Sequence, residues 1–216
     1  MKALAAILVQ TKNPLVLDEI EIPKLRRGQI LVKIHYSGIC GTQLNEIDGK
    51  KGEDKWLPHC LGHEAVGTVC DTGPGVSRMK VDDNVVLTWL RGEGIDAGGV
   101  QYGWRKSVVN AGPVTTFQQY AVVSESRVFT TGSSALTDMH VLMGCAAPTG
   151  MGAVRNVLRV QKGNSFLVFG SGGVGLCAIS MARKLGANPI IAVDISNERL
   201  RLAKSFGADI TVNLTS

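Results

Sequence analysis

One glycine-rich run constrains the fold of this chain more than any other feature. It reads Gly170-Ser171-Gly172-Gly173-Val174-Gly175. Residues 165–169 precede it and are typical of a buried strand, and residues 172–185 have the periodicity of a helix. In such a turn the first glycine allows the tight bend, the second lets a pyrophosphate approach the backbone, and the third lets helix and strand pack closely. The run therefore predicts the first turn of a dinucleotide-binding fold.

The residues after this turn repeat the alternation of strand and helix. Residues 189–193 predict a second strand, residues 197–206 a second helix between Ser196 and Gly207, and residues 210–212 the start of a third strand. Asp194 ends the second strand, 194 − 175 = 19 positions beyond the last glycine. There a carboxylate can accept hydrogen bonds from the adenosine ribose and repel a 2′-phosphate, which favours NAD over NADP. The alternative is that Asp194 only caps the helix that follows.

The earlier part of the chain has a different pattern. Short segments rich in Val, Ile and Thr alternate with turn residues there. They predict strands at residues 2–10, 15–21, 30–36, 64–72, 84–90 and 116–123. We expect an all-β, barrel-like domain at residues 1–142 and part of a parallel α/β domain at residues 143–216.

Three residues with metal-binding side chains stand ahead of the glycine-rich run. Cys40 begins Cys40-Gly41-Thr42, His63 lies within Gly62-His63-Glu64, and Cys145 follows much later. Each alone is more often a packed residue than a ligand. Together, two thiolates and an imidazole suit Zn²⁺, and three protein ligands leave one tetrahedral position open to water or substrate. An open zinc beside a dinucleotide site favours alcohol-to-carbonyl redox chemistry.

The spacing around His63 continues as Gly62-His63-Glu64-x-x-Gly67-x5-Gly73-x-x-Val76. With Cys40 and Cys145, this pattern resembles the zinc-containing medium-chain dehydrogenases, the group of alcohol, sorbitol and threonine dehydrogenases. The resemblance runs from Met1 to the end of the chain. It implies an α/β protein with an all-β part: a GroES-like β-barrel catalytic domain followed by the first half of a Rossmann domain. It also implies that Cys40, His63 and Cys145 bind the catalytic zinc, with Glu64 behind the metal as an alternate ligand.

The same resemblance assigns roles to four further residues. Thr42 matches a hydroxyl that relays the alcohol proton, and it could equally cap the following helix. Thr149 matches a threonine that packs near the nicotinamide ring. Trp89 matches a pocket-lining aromatic residue, with a core tryptophan as the alternative. Arg199 would lie near the adenosine ribose, or be a solvated helix residue.

The chain departs from the family pattern in three places. Gln43 stands where an Asp commonly supports the zinc-bound His, although its amide can still accept the imidazole N–H. Asn45 stands where some members carry a relay His. Residues 91–113 contain none of the four cysteines that hold a structural zinc in many relatives, so we expect one catalytic zinc and no structural zinc. The glycines, Tyr102 and Trp104 of this segment predict a flap on the substrate side.

These patterns predict a zinc-dependent, NAD-linked oxidoreductase acting on a secondary or polyol-type alcohol, or on its carbonyl product. A metal-free relative such as a quinone reductase is one alternative, and the three ligand residues together speak against it. A non-catalytic zinc-binding fragment is the other, because the chain looks truncated after the start of its third α/β strand. We expect the 216 residues alone to transfer hydride poorly. A homo-oligomer of the full-length form is compatible with the pattern.

Charge and apolar content argue against a nucleic-acid-binding, a secreted or a membrane protein. The net charge of +5 is mild, and its densest basic spots, residues 24–27 and 50–51, are short and far apart. This is unlike a nucleic-acid-binding surface. The apolar run at residues 3–9 is too short for a signal peptide or for the ~20 residues of a membrane span. Five cysteines, an odd number, favour the reducing cytoplasm over a disulfide framework.

Overall fold

The computed structural model describes residues 1–132 and 136–215. Contacts divide the chain into two compact units, Met1–Cys145 and Ala146–Ser216. No helix in the described ranges has the length and apolar character needed to cross a membrane.

The first unit consists almost entirely of β-strands. The strands are β1 Lys2–Leu8, β2 Val16–Glu21, β3 Gln29–Ser37, β4 His59–Cys60, β5 Ala65–Thr72, β6 Asn84–Leu87, β7 Val100–Trp104, β8 Ser107–Ala111, β9 Tyr120–Ser124 and β10 Val128–Thr130. Five of them form a closed barrel in the order β1-β2-β7-β8-β4, and five form a sheet in the order β10-β6-β5-β3-β9. A short helix, α1 (Gly41–Ile47), and two 3₁₀ helices, Glu125–Arg127 and Asp138–Gly144, complete the unit.

The predicted strands of this unit are confirmed, with ends displaced by at most four residues. Their inward-facing Val, Ile and Leu side chains form the barrel and sheet cores, because alternate residues of a strand share one face. The flap predicted at residues 91–113 is wrong. This segment supplies β7 and β8 to the closed barrel, and Tyr102 is fully buried there. The Tyr102 hydroxyl bonds at 2.8 Å to both the Gln118 amide and the Val122 N–H, which accounts for its burial.

The second unit is a parallel α/β layer. Its elements are α2 Ala146–Gly152, a π-helical turn Ala153–Val157, β11 Phe166–Phe169, α3 Gly173–Lys184, β12 Ile190–Asp194, α4 Asn197–Ser205 and β13 Ile210–Asn213. The three strands pair in parallel in the order β11-β12-β13, as predicted. The Ser196 side chain accepts from the Arg199 N–H and caps α4. The sequence does not predict helix α2, because Pro148 and two glycines interrupt its helical pattern.

Candidate functional site

Three sulfur and nitrogen ligands converge in the first unit. Cys40 is the N-cap of α1, His63 follows β4 by three residues, and Cys145 ends the 3₁₀ helix Asp138–Gly144. Their ligand atoms all lie within 4.8 Å of one another. A tetrahedral zinc would hold two thiolates and an imidazole about 3.5–3.8 Å apart, so this convergence fits the ion.

The imidazole of His63 has the properties of a metal ligand. Its Nε2 is buried and has no hydrogen-bond partner among the described residues. Burial lowers the pKa of His63, and the positive charge of Lys51 lowers it further against the opposing effect of Glu46. The ring is therefore neutral at pH 7, the state in which an imidazole nitrogen can bind a metal.

Gln43, in the first turn of α1, forms hydrogen bonds with both Cys40 and His63. Its carboxamide oxygen accepts the Cys40 backbone N–H at 3.1 Å, and its carboxamide nitrogen lies 2.7 Å from Nδ1 of His63. The expectation that the amide accepts the imidazole N–H is therefore wrong for this conformation, because the oxygen serves the helix cap instead. In this orientation Gln43 donates to Nδ1 and places the ring proton on Nε2.

The group formed by Cys40, His63 and Cys145 lies beside a large cavity. Thr42, Gln43 and His63 form part of the wall of this 880 Å³ space, which falls in the size range of small-molecule sites. Thr42 is exposed, and its hydroxyl oxygen lies 3.7 Å from the Cys40 sulfur. A hydroxyl is thus present at the metal group and accessible from the cavity.

The glycine-rich turn of the second unit has the predicted geometry. Gly170 has a φ of +91°, which favours glycine. A Cβ at Gly175 would lie 2.0 Å from the Gly170 carbonyl oxygen, so only glycine allows α3 to pack this closely on β11. A Cβ at Gly172 would meet nothing within 4 Å. Open space therefore adjoins the N-terminus of α3, where backbone amides attract phosphate.

Two family models match this sequence. The alcohol dehydrogenase GroES-like domain matches residues 26–133, half of the chain, and the zinc-binding dehydrogenase model matches residues 173–216. The chain belongs to the zinc-containing medium-chain dehydrogenase family. Its first unit is the GroES-like domain and its second is the beginning of the Rossmann domain.

Individual members of the family support this assignment. The S-(hydroxymethyl)glutathione dehydrogenase of Photobacterium damsela subsp. piscicida is 31% identical, over 99% of this chain and 64% of its own length. An alcohol dehydrogenase zinc-binding domain protein from Burkholderia ambifaria matches with a TM-score of 0.88 and 30% identity, over 100% of this chain and 65% of that one. Benzyl alcohol dehydrogenase from Acinetobacter calcoaceticus matches with a TM-score of 0.85 and 29% identity, over the same shares. The chain thus spans about 64% of the length of its curated relatives.

Asp194 accepts several hydrogen bonds from backbone N–H groups. One carboxylate oxygen accepts the Ser171 N–H at 2.7 Å, and the other accepts the N–H groups of Ile195 and Ser196 at 2.8 and 3.0 Å. The Ser171 N–H contributes most to lowering the pKa of Asp194, so the carboxylate is charged. Ile195 and Ser196 both precede α4, whose N-cap is Ser196, so the capping alternative is wrong, and the carboxylate faces the glycine-rich turn. Arg199 is exposed on α4, and its charge adds to the same pKa shift.

The other residues with expected roles, Glu64, Thr149 and Trp89, differ in their burial. Glu64 is buried outside the three-ligand group, where a Cβ at Gly38 would lie 2.6 Å from its carboxylate oxygen. Thr149 is exposed on α2. Trp89 is 45% exposed, so the core alternative is wrong, and it is absent from the described residues that line the 880 Å³ cavity.

Sequence reasoning overlooked two buried groups. His59 carried no recognisable spacing, yet it meets Glu46 and Asp54 in a second cluster of ligand atoms. Glu125 is 1% exposed and accepts three backbone N–H groups from distant loops. No local pattern signals either group, because most of their partners are distant in the sequence and meet them only in the folded unit. Cys60 is also buried, which raises the pKa of its thiol to about 12 and keeps it protonated.

Proposed function

We propose that this chain is the zinc- and NAD-binding part of an alcohol dehydrogenase. The reaction would move a hydride between a secondary or polyol-type alcohol, or its carbonyl product, and NAD. The curated relatives and benzyl alcohol dehydrogenase are named for alcohol-type substrates, which supports this reaction class. Because the chain spans 64% of the length of those relatives, the activity is proposed for the whole protein.

The observation that carries the proposal is the convergence of Cys40, His63 and Cys145 within 4.8 Å, with His63 Nε2 buried and unpaired among the described residues. A buried polar atom without a partner is costly, and a metal ion removes that cost. Zinc bound there would act as a Lewis acid on a substrate oxygen. A set of two thiolates and one imidazole suits zinc better than magnesium or calcium.

The residues of the chain would then bind and orient the reactants. The exposed hydroxyl of Thr42, beside the Cys40 sulfur, would take the proton of the alcohol and pass it towards solvent. Thr149 and Trp89 would contact the nicotinamide and the substrate, respectively. The turn formed by Gly170, Gly172, Gly173, Val174 and Gly175 would hold the pyrophosphate. The charge of Asp194 would favour NAD, and Arg199 would lie near the adenosine ribose.

We assign one tightly bound zinc, with Glu64 as an alternate ligand and no structural zinc. The segment 91–113 supports this number, because it has no cysteine and is occupied by barrel strands. Thiolate ligation requires reduced sulfur, which supports a reducing compartment such as the cytoplasm. A small alcohol or carbonyl compound is the proposed partner, and nucleic acid and membranes are not.

Zinc analysis and a cofactor assay test the proposal together. The wild type should contain one zinc per chain, and Cys145→Ala should contain less than about a tenth as much. Cys177→Ala is the matched control, because Cys177 lies on α3 outside the ligand group, and it should retain its zinc. In a screen of small alcohols and polyols, the whole protein should form NADH at ~1 s⁻¹ or faster. Zinc without NADH formation would favour the non-catalytic alternative, and zinc retained in Cys145→Ala would refute the ligand assignment.

A further inference from the structure

Three side chains outside the thiolate group meet at a second point of the first unit. Glu46 lies in the last turn of α1, His59 lies in β4, and Asp54 lies in the loop between them. Nε2 of His59 is 2.8 Å from an Asp54 carboxylate oxygen and 3.6 Å from a Glu46 carboxylate oxygen. All three ligand atoms lie within 4.8 Å of one another.

Each of these side chains is oriented by a second contact that leaves one atom directed at the meeting point. His59 Nδ1 lies 3.0 Å from the Cys60 carbonyl oxygen, which can only accept, so Nδ1 carries a proton. The other Asp54 oxygen accepts the Trp56 N–H at 2.9 Å. The other Glu46 oxygen receives the Lys51 ammonium at 2.9 Å.

A divalent cation would take the place of the His59 ring proton at this point. Without a metal, the 2.8 Å contact between Nε2 and the Asp54 carboxylate is a hydrogen bond that the ring donates. A divalent cation would displace that proton and bind the Nε2 lone pair together with the two carboxylate oxygens. His59 is only 8% exposed, so water screens the two neighbouring carboxylates from each other poorly. The second contact on Nδ1 is the arrangement by which proteins orient metal-binding imidazoles.

The local charge also favours a cation. Glu46 and Asp54 contribute two negative charges and Lys51 one positive charge, which leaves −2 + 1 = −1 once a cation has displaced the proton from His59 Nε2. Burial acts to raise the pKa of Asp54, but the Trp56 N–H, His59 and Lys51 together outweigh it and lower that pKa. Asp54 is therefore ionised at neutral pH.

We propose that Glu46, Asp54 and His59 form a second divalent-cation site that is separate from the two-thiolate group. One imidazole and two carboxylates suit Mn²⁺ or Zn²⁺, with water completing the coordination. Without thiolates the site binds more weakly than the cysteine-containing group. It exchanges its ion with solvent, so the count of one tightly bound zinc is unchanged. Glu46 and His59 also line the 880 Å³ cavity, which provides the entry path.

A cation at this site would also influence the group formed by Cys40, His63 and Cys145. Helix α1, which carries Glu46, begins directly after Cys40. Strand β4, which carries His59, leads within three residues to His63. A cation held by Glu46 and His59 therefore links the two segments that supply two of the three thiolate-group ligands.

Manganese binding tests the site. The full chain is first loaded with one equivalent of Zn²⁺, and Mn²⁺ is then titrated at pH 8 while the EPR signal of the free ion is recorded. We expect one bound Mn²⁺ with a Kd below about 100 µM, and at least a tenfold weaker Kd in both His59→Gln and Glu46→Gln. Asp48→Asn is the matched control. Its carboxylate also lies at the end of α1, but it is exposed and paired with Lys50, so its Kd should equal that of the wild type.

Protonation of His59 is the competing explanation, and the same titration distinguishes it. Mn²⁺ affinity should fall about tenfold per pH unit once a proton competes for Nε2. An absence of Mn²⁺ binding at pH 8, where the proton is least competitive, would overturn the proposal. So would equal Kd values for Glu46→Gln and the wild type. Glu46 is only partly buried, so Glu46→Gln carries the test if circular dichroism shows that His59→Gln is misfolded.

Discussion

The carboxamide nitrogen of Gln43 lies 2.7 Å from Nδ1 of His63, while the carboxamide oxygen accepts the backbone N–H of Cys40. A metal at His63 Nε2 requires the opposite ring tautomer, with a proton on Nδ1 that needs an acceptor. The single oxygen of Gln43 is directed at Cys40 and is not available to Nδ1. Zinc bound at Nε2 would therefore require the amide to turn over, at the expense of the hydrogen bond at the start of α1.

Gln43→Glu should remove this conflict. The carboxylate has nearly the same shape and offers two acceptor oxygens, one for the Cys40 N–H and one for a proton on Nδ1. We expect zinc affinity, measured by competition with a chelator, to rise about tenfold. The metal-free variant should have a lower Tm, because Gln43 is 3% exposed and the new charge is buried without a metal. Unchanged zinc affinity would show that the amide orientation does not influence the metal group.

Substitutions in the glycine-rich turn should separate cofactor binding from folding. Gly172→Ala places a methyl group in open space at a backbone conformation that alanine tolerates, so its Tm should stay near that of the wild type. The same methyl group would obstruct a pyrophosphate, and NAD affinity should fall at least tenfold by calorimetry. Gly175→Ala should lower both the Tm and NAD affinity, because its Cβ would lie 2.0 Å from the Gly170 carbonyl oxygen. Full NAD affinity in Gly172→Ala would place the pyrophosphate elsewhere.

Cofactor preference should depend on the charge of Asp194. Asp194→Gly would relax the preference for NAD, but it would also remove three backbone contacts. Asp194→Asn removes the charge and retains an acceptor oxygen. We expect the ratio of NADP to NAD dissociation constants to fall about tenfold in this variant, because the repulsion of a 2′-phosphate is lost. The ratio is its own control, since partial unfolding weakens both cofactors alike. Equal affinities in the wild type would contradict the assignment.

The second unit was predictable because its signals are local. Strand, glycine turn and helix follow one another within about 20 residues, and Ser196 caps α4 from directly beside it. The first unit was predictable only where a strand alternates clearly. Strands β7 and β8 lie in a glycine-rich segment and pair with each other at five positions across the turn Arg105-Lys106, whereas β7 pairs with β2 and β8 with β4 at one position each. That turn has none of the Asn-Gly or Asp-Gly residues that mark a tight hairpin, so the sequence did not reveal it.

The candidate site likewise has features that the sequence predicts and features that it does not. Cys40, His63 and Cys145 were found from their sequence contexts, which the resemblance made recognisable. The orientation of the Gln43 amide was not, because it depends on which of two donors takes the oxygen in the folded state. Which ring nitrogens of His59 donate depends likewise on the Cys60 carbonyl and the Asp54 carboxylate. Tautomers and amide orientations follow from three-dimensional contacts and have no sequence pattern of their own.

Glu125 should be a main stabilising residue of the first unit. Its buried carboxylate accepts the N–H groups of Ser77, Arg78 and Ile95 at 2.8–2.9 Å, and so joins two loops to the sheet. Glu125→Gln turns an amide N–H₂ towards at least one of these donors. We expect the free energy of unfolding to fall by about 1–3 kcal/mol at pH 7. All three tryptophans, at positions 56, 89 and 104, lie in this unit, so urea unfolding followed by tryptophan fluorescence reports on it.

The effect of this substitution should depend on pH. Burial acts to raise the pKa of Glu125, but the three N–H groups and the Arg78 charge outweigh it and hold the pKa below the usual 4.5. A lowered folded-state pKa stabilises the protein above the unfolded-state value, and this stability is lost as pH falls through the folded-state pKa. The difference between wild type and Glu125→Gln should therefore be largest above about pH 4.5 and shrink below it. Glu93→Gln is the control, because Glu93 pairs with Arg78 at an exposed position and its loss should cost less than about 1 kcal/mol at any pH. A pH-independent difference would mean that Glu125 acts through its shape and not through its charge.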